Sequence, residues 1–422
     1  MPLRRRDAAS TAGGTPALQR TLFVTMSSVR ILISAGEASG DMYGALLIEA
    51  LRRLAGESPA TTLNQRLEFF GAGGDRMRAA GCDTVVDSKQ LAVVGITEIL
   101  SHLPKIWGLF HRLIAEADRR KPDLAIVIDS PAFNWRVARQ MKKRGIPVVY
   151  YVCPQFWAWR QGRVHLLRKY VDKALVIFPF EEKFYRDRGV DATFVGHPLA
   201  DLPRPEIDRA TYAAQYKLDP EMPWITLMPG SRVKEVRRNL PELKISSILL
   251  GSSYDFLLPV ASTLDRHILE KQIAGFNIHL VSEALPALAH SRAGIIASGT
   301  ATVEAAIMGT PFVMVYRVSD LTYLLGRPRV KVPYFAMVNL IAEKEIVPEL
   351  VQYKFTAQNI GLELNKILPE GDARRKMIAR LAEVKARLKG PDSGAVRPAD
   401  RAAGIVMSML VKARPAASPS VT

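Results

Sequence analysis

The chain has 422 residues, 48% of them apolar and 23% charged, with 58 Lys and Arg against 41 Asp and Glu for a net charge of +17. That balance is globular rather than disordered, and the length exceeds one ordinary hydrophobic core, so two domains are expected. The positive excess draws polyanions, anionic lipid headgroups or phosphorylated substrates, but nucleic acid is excluded because zinc-finger spacing, an RNP-like aromatic motif and any basic tract beyond Arg4-Arg5-Arg6 are missing.

Residues 1–28 follow that Arg triplet with Ala, Thr and Gly and lack the apolar centre of a signal peptide. They read as a disordered leader or a misassigned start, with Met26 directly before the first strand. No apolar run reaches about 18 uncharged residues, so any membrane contact is peripheral. Cys82 and Cys153 make neither a disulfide framework nor metal-ligand spacing, and the histidines show no HExxH arrangement. No metal and no cofactor is expected, and the cysteine usage suits a reducing compartment.

Val29 to Ala35 is a β-rich run that ends in Gly36-Glu37-Ala38-Ser39-Gly40-Asp41, and Met42 to Leu54 follows as an amphipathic helix. Small residues let a ligand approach the backbone there, and Glu37 and Asp41 place carboxylates at the opening. Asp41 is either a helix N-cap or a substrate contact. Leu67 to Gly71 is a second strand running into GAGGDRM, whose glycines fit neither GxGxxG nor a P-loop. Between Gln90 and Ile114, apolar residues from Leu91 to Phe110 are too many for one face and are interleaved with Lys105, His111 and Arg112. The segment either lies on an anionic membrane or grips acyl chains, or it is a core helix buried on two sides. Leu124 to Ile128 is a continuous apolar strand of a doubly covered parallel sheet, and it delivers Asp129 to the strand's carboxyl end, where such sheets place ligands. Asp129 is a catalytic carboxylate or a cap for the helix opening at Pro131. Pro147 to Val152 is the next strand, followed by Cys153-Pro154-Gln155-Phe156-Trp157-Ala158-Trp159-Arg160. Its rings, with Arg160, Arg163 and Arg168, either line a sugar-phosphate or acyl pocket or form a buried aromatic cluster. Asp172 to Phe178 and Ala192 to Val195 complete the strands of this half, and Asp201 to Asp208 has the Pro-rich, charged character of a linker. His197, just before it, touches a nucleotide or hydroxyl, or is structural.

The second half restarts with a strand, Trp224 to Met228, then Pro229-Gly230-Ser231-Arg232 and a helix from about Val233. Ser231 and the backbone beside it suit an anion at a helix N-terminus, and Arg232 adds a forked cation. Tyr254 to Val260 and Asn277 to Val281 are further strands. Gly294 to Arg317 reads as strand, small-residue turn (Ser298-Gly299-Thr300-Ala301-Thr302), helix to Met308 and strand Phe312 to Tyr316. The turn is phosphate-suited, and Glu304 just inside the helix can accept hydrogen bonds from ribose hydroxyls; the alternative is an ordinary capped βα turn. Helices are expected over Val318 to Arg327, Ala357 to Leu368, Arg374 to Leu388 and Ala399 to Val411, with Asn339 in a loop or short helix.

GEASGD, GITEIL, IDSPAFN, CPQFWAWR, LMPGSRVKEV and ASGTATVEAAIMGTP occur in this order from about Val29 to Gly404 and closely resemble the signatures of the lipid-A-disaccharide synthase family. Tyr43, Ala132 and Cys153 depart from the family's usual His, Asp and Ser. The expected fold class is α/β of the GT-B architecture, two Rossmann-like doubly wound domains facing a central cleft. Its parts are a leader (1–28), an acceptor- and lipid-binding domain (29–200), a UDP-sugar domain (201–385) and a C-terminal helix with a disordered tail (386–422). The resemblance implies transfer of 2,3-diacylglucosamine from UDP-2,3-diacylglucosamine to 2,3-diacylglucosamine 1-phosphate at the cytoplasmic face of the inner membrane, through peripheral contact with anionic lipids. It also implies a homodimer. Asp129 would be the base and Glu37 the second candidate; Ser39, Asp41, Trp159, Arg160 and His197 would bind substrate. Ser231, Arg232, Ser298, Gly299, Thr300, Thr302, Glu304 and Asn339 would hold the nucleotide. Another GT-B enzyme, a UDP-sugar epimerase or a non-catalytic basic membrane-binding protein is the alternative.

Overall fold

The computed structural model describes residues 28–57, 67–91, 99–261, 263–392 and 395–413. Among them, strands β1 (Val29–Ala35), β2 (Leu67–Gly73), β3 (Cys82–Asp87), β4 (Leu124–Ile128), β5 (Val148–Tyr151), β6 (Lys173–Val176) and β7 (Ala192–Phe194) make one parallel sheet, ordered β3-β2-β1-β4-β5-β6-β7. A second parallel sheet, ordered β10-β9-β8-β11-β12-β13, contains β8 (Trp224–Met228), β9 (Asp255–Pro259), β10 (Ile278–Val281), β11 (Ala293–Ala297), β12 (Phe312–Tyr316) and β13 (Glu349–Val351). Every residue of β4 and β11 is buried, as strands covered by helices on both faces require.

The strand order reverses between β1 and β4 in the first sheet and between β8 and β11 in the second. Loops leaving the carboxyl ends of such a pair diverge to opposite faces and open a crevice, so each lobe has one position built to receive a ligand. Ala35 pairs with Ile128, and Met228 with Ile296. The segments beginning at Gly36 and Asp129 are therefore neighbours, and so are those beginning at Pro229 and Ser298.

The chain crosses between lobes twice at one place. After β7 it passes Gly196, and His197 N donates to Leu388 O at 2.7 Å where the returning crossing begins. Gly196 has φ +89, and a Cβ there would stand 2.9 Å from Lys389 O, so the two crossings can touch only at a glycine. The helix Asp372–Leu388 packs on the second lobe, whereas the last helix, Pro398–Ala413, returns to lie along Ala38–Glu57 of the first. Ala402, Ala403 and Val406 are wholly buried there, and Arg53 pairs with Asp400.

The greasy segment resolves into parts. Val93, Val94 and Ile96 lie outside the described residues. Within the helix Ile99–Arg120, Phe110, Leu113, Ile114 and Ala117 are core, but Trp107 is 54% exposed and stacks on Phe110. Lys105, His111 and Arg112 are exposed around it. Among the described residues no helix is long and apolar enough to cross a membrane.

Candidate active site

Asp129 and Ser130 leave β4 with φ of 48° and 46°, the left-handed region where a side chain with a Cβ is strained by about 1 kcal/mol or more per residue. Three observations account for the turn's persistence. Asn134, buried in the helix Pro131–Lys143, sets its Nδ2 within reach of the carbonyls of Ser34, Ile128 and Asp129 at 3.1, 2.8 and 2.9 Å. Its Oδ1 accepts from Ser34 Oγ at 2.7 Å, and Tyr150 OH donates to Asp129 O at 2.8 Å. Gly36 completes the fit, because a Cβ there would lie 2.3 Å from Ser130 Oγ. The first glycine of GEASGD is thus the contact surface for the Asp129 turn, and the Asn of IDSPAFN is its clamp.

Burial first, and the charge of Glu37 second, raise the Asp129 carboxyl from 3.8 to about 6, while a hydrogen bond from the Ser130 backbone and, less, the Arg232 guanidinium pull the other way. Arg232 belongs to the other lobe. Its Nη2 reaches Glu37 Oε2 at 3.4 Å, closing an ion pair across the crevice. Asp129, Glu37 and Arg232 therefore form one electrostatic group drawn from three strand ends and both lobes. At neutral pH a carboxyl with a value near 6 is about nine-tenths ionised and close in basicity to what proton abstraction from a hydroxyl needs.

The two glycine turns of the second lobe stand side by side, but they are not equivalent. At Gly230 (φ +118) the chain bends so that Glu235 Oε2 accepts from Ser231 N at 3.1 Å and Arg232 N at 3.3 Å. The carboxylate of the helix Val233–Leu250 already occupies that anion position, and the sequence reading missed this use of Glu235. At Ser298–Thr300 the position is open. Gly299 and Thr300 are exposed, and the amides of Gly299, Thr300 and Ala301 at the start of the helix Thr300–Met308 have no partner among the described residues. Ser298 Oγ donates to Phe335 O, and Thr302 Oγ1 to Gly299 O, both at 2.8 Å, so these hydroxyls shape the turn. Glu304 lies near the first lobe: burial raises its carboxyl, and burial first, then the charges of Glu304 and Asp129, raise the Tyr43 hydroxyl. Tyr151, wholly buried next to this group, has a hydroxyl with no hydrogen-bond partner among the described residues.

Of the other expected site residues, Asp41, His197 and Asn339 have hydrogen-bond partners within the protein. Asp41, 6% exposed, accepts from the amides of Gly74, Arg76 and Met77 at 2.6, 3.0 and 3.1 Å; it caps the helix Asp75–Ala79 and not its own. His197 is buried edge-on to Tyr43, its Nδ1 accepts from Leu199 N at 3.2 Å, and burial lowers its pKa to about 3, so it stays neutral. Asn339 is buried and clamps the loop after it: Oδ1 accepts from Ile346 N and Val347 N, and Nδ2 donates to Val347 O and Glu349 Oε1. Glu349 in turn accepts from the amides of Phe335 and Ala336. Asn339 thus fixes the loop that carries the partner of Ser298. Ser39 lies half-buried beside Glu37. Trp159 is 49% exposed with the Arg160 guanidinium 3.9 Å above its ring. Arg168 lies elsewhere, its stem against Gly189.

Two parallel α/β lobes with their switch points opposed across one crevice define the GT-B class. The calicheamicin glycosyltransferase CalG4 matches with a TM-score of 0.58 and 17% identity over 92% of this chain and 100% of its own. A putative UDP-N-acetylglucosamine 2-epimerase from Listeria monocytogenes matches equally well in fold, with a TM-score of 0.58 and 12% identity over 92% of this chain and 96% of its own. The fold therefore does not choose between transfer and epimerisation. The sequence does: the chain belongs to the lipid-A-disaccharide synthase family of glycosyltransferases, whose family model, described as lipid-A-disaccharide synthetase, matches residues 31–393. A lipid-A-disaccharide synthase from Koribacter versatilis is 50% identical over 385 residues, covering 90% of this chain and 98% of that one.

Proposed function

We propose that this chain transfers 2,3-diacylglucosamine from UDP-2,3-diacylglucosamine to the 6-hydroxyl of 2,3-diacylglucosamine 1-phosphate, forming the β-1′,6-linked disaccharide and UDP. The observation that carries the reading is the cross-crevice group: a carboxylate of raised pKa at Asp129 feels the charge of Glu37, which pairs with the Arg232 guanidinium of the other lobe, with open helix amides one strand away. An alcohol is a poor nucleophile at neutral pH, so Asp129 takes its proton as the oxygen attacks the anomeric carbon from the face opposite the departing UDP. Negative charge growing on the diphosphate meets the amides of Gly299, Thr300 and Ala301 and the Arg232 guanidinium. The amides of Ser231 and Arg232 are held by Glu235, so the Ser298 turn is the principal amide cradle. Arg232 pairs with both Glu37 and Glu235 and must loosen these contacts to meet phosphate, a small barrier because an exposed pair is worth only about 0–1 kcal/mol. Glu304 accepts from ribose hydroxyls. The first lobe, 29–200, presents the acceptor and the second, 201–385, holds the donor. The exposed Trp107 and the cations around it rest on anionic lipid at the inner face of the inner membrane.

The test is Asp129→Ala, with UDP binding measured by calorimetry and turnover by product formation. The reading requires near-normal UDP affinity with turnover abolished. Wild-type turnover would remove Asp129 as the base.

A further inference from the structure

Tyr150 and Tyr151 end β5 side by side, so their side chains leave opposite faces of the sheet. Tyr150 OH donates to Asp129 O at 2.8 Å. Tyr151 pairs in register with Ile128, whose Cδ1 lies 3.3 Å from where a Cβ on Gly44 would stand, so both side chains point toward the helix Ala38–Glu57. There the Tyr151 hydroxyl is buried without a hydrogen bond among the described residues. Phenylalanine would fill the same space, and an unpaired buried hydroxyl costs stability, so this oxygen calls for a partner that the unliganded chain does not supply. Tyr43 precedes Gly44 on that helix and stands within electrostatic reach of Tyr151, of Asp129 and, from the other lobe, of Glu304. Among the described residues no hydrogen bond engages its hydroxyl, and the His197 ring beside it meets it edge-on with Nδ1 already given to Leu199 N. Burial keeps both phenols protonated and therefore donors, while the carboxylates of Asp129 and Glu304 repel an anion. What suits the place is a neutral oxygen, such as a sugar hydroxyl.

We infer that the Tyr43 hydroxyl holds the 4-hydroxyl of the acceptor sugar, with Tyr151 behind it as a positioning residue that donates to the Tyr43 oxygen, so that the 6-hydroxyl is the one that meets Asp129. The inference rests on the disaccharide-forming reading and gives it a source of regiochemistry. With acyl groups at positions 2 and 3 and phosphate at position 1, the acceptor keeps two free hydroxyls, 4 and 6. A carboxylate alone accepts a proton from either. A phenol beside it takes the secondary alcohol as a hydrogen-bond partner and leaves the primary one for attack. The seated sugar draws the Tyr43 hydroxyl into line, and the buried Tyr151 hydroxyl gains the acceptor it lacks.

The acceptor 2,3-diacylglucosamine 1-phosphate and its 4-deoxy analogue are compared by calorimetry and steady-state kinetics in the full chain, in Tyr43→Phe and in Tyr151→Phe, with thermal unfolding of all three. The wild type should prefer the natural acceptor by about five- to tenfold in affinity and in kcat/KM, the worth of one neutral hydrogen bond, and Tyr43→Phe should lose that preference with donor KM unchanged. Tyr151→Phe should melt at the wild-type temperature or above, because an unpaired hydroxyl is gone, and still lose severalfold in acceptor kcat/KM. A merely structural Tyr151 would move the melting temperature alone. Equal handling of the two acceptors by the wild type, or an intact preference in Tyr43→Phe, overturns the contact, and wild-type acceptor kinetics in Tyr151→Phe overturn its positioning role. If the wild type forms no disaccharide, the reaction reading fails, and the calorimetric preference still decides whether Tyr43 holds a sugar hydroxyl.

Discussion

Replacing Asp129 with Asn should stabilise the protein while it removes activity. The Asp129 carboxyl is raised from 3.8 to about 6 by burial and by Glu37. A folded-state value above the unfolded one means that the folded chain binds the proton more tightly, so the protonated form favours folding and ionisation opposes it. The penalty is small below the unfolded value, grows through the window between about 4 and 6, and is complete above it. It amounts to roughly 0.5 kcal/mol at pH 4 and about 3 kcal/mol at pH 8. Asn carries no charge, nearly matches Asp in shape and tolerates the left-handed backbone at φ 48° as readily as Asp does. Urea unfolding of wild type and Asp129→Asn at both pH values isolates the contribution of Asp129 and its coupling to Glu37 and Arg232, because titrating groups remote from it cancel in the difference. The variant should be more stable by up to about 3 kcal/mol at pH 8, with most of that gain gone at pH 4. No gain at pH 8, or an equal gain at both, would refute the electrostatic picture of the site.

Glu37→Gln removes the charge that helps raise Asp129, so the acid limb of the kcat/KM profile should move to lower pH than in the wild type. An unmoved limb would assign it to another group, and complete inactivity at every pH would make Glu37 the base. Asn134→Ala removes the two N–H donors shared among the carbonyls of Ser34, Ile128 and Asp129, of which only Asp129 O keeps Tyr150 OH, and frees a strained turn; a stability loss of about 2–4 kcal/mol and a drop in kcat are expected from thermal unfolding and rate assays. Wild-type Tm in that variant would refute the clamp. Turnover should persist in excess EDTA, because the groups proposed to receive the diphosphate charge are amides and a guanidinium; loss restored by a divalent ion would contradict that.

Strand ends carrying a motif could be read from sequence with little error. Leu124–Ile128, Phe312–Tyr316 and the start of the helix at Val233 stand where apolar runs meet small or charged residues. β3 and β13 escaped because they are edge strands, one only three residues long and the other only partly buried along its length. The helix Ala38–Glu57 begins ahead of Met42, since Ala38 to Asp41 form its first turn. Roles were harder than positions. Asp41, His197 and Asn339 look like ligands for a substrate because sequence shows a polar side chain near a crevice without showing its partner. Those partners are the amides of Gly74, Arg76 and Met77 for Asp41, the crowded interior around Tyr43 for His197, and the loop 346–349 for Asn339. Glu235 was overlooked for the opposite reason: a carboxylate in a phosphate-suited turn reads as a helix-start residue, and only the geometry reveals that it fills the anion position.

The decisive measurement is incubation of the purified chain with UDP-2,3-diacylglucosamine and 2,3-diacylglucosamine 1-phosphate, following both products by mass spectrometry and the new linkage by NMR. The account requires one UDP released per β-1′,6-linked disaccharide 1-phosphate formed, and neither product when the acceptor is omitted. UDP release without disaccharide, or conversion of the donor to its 2-epimer, would contradict it.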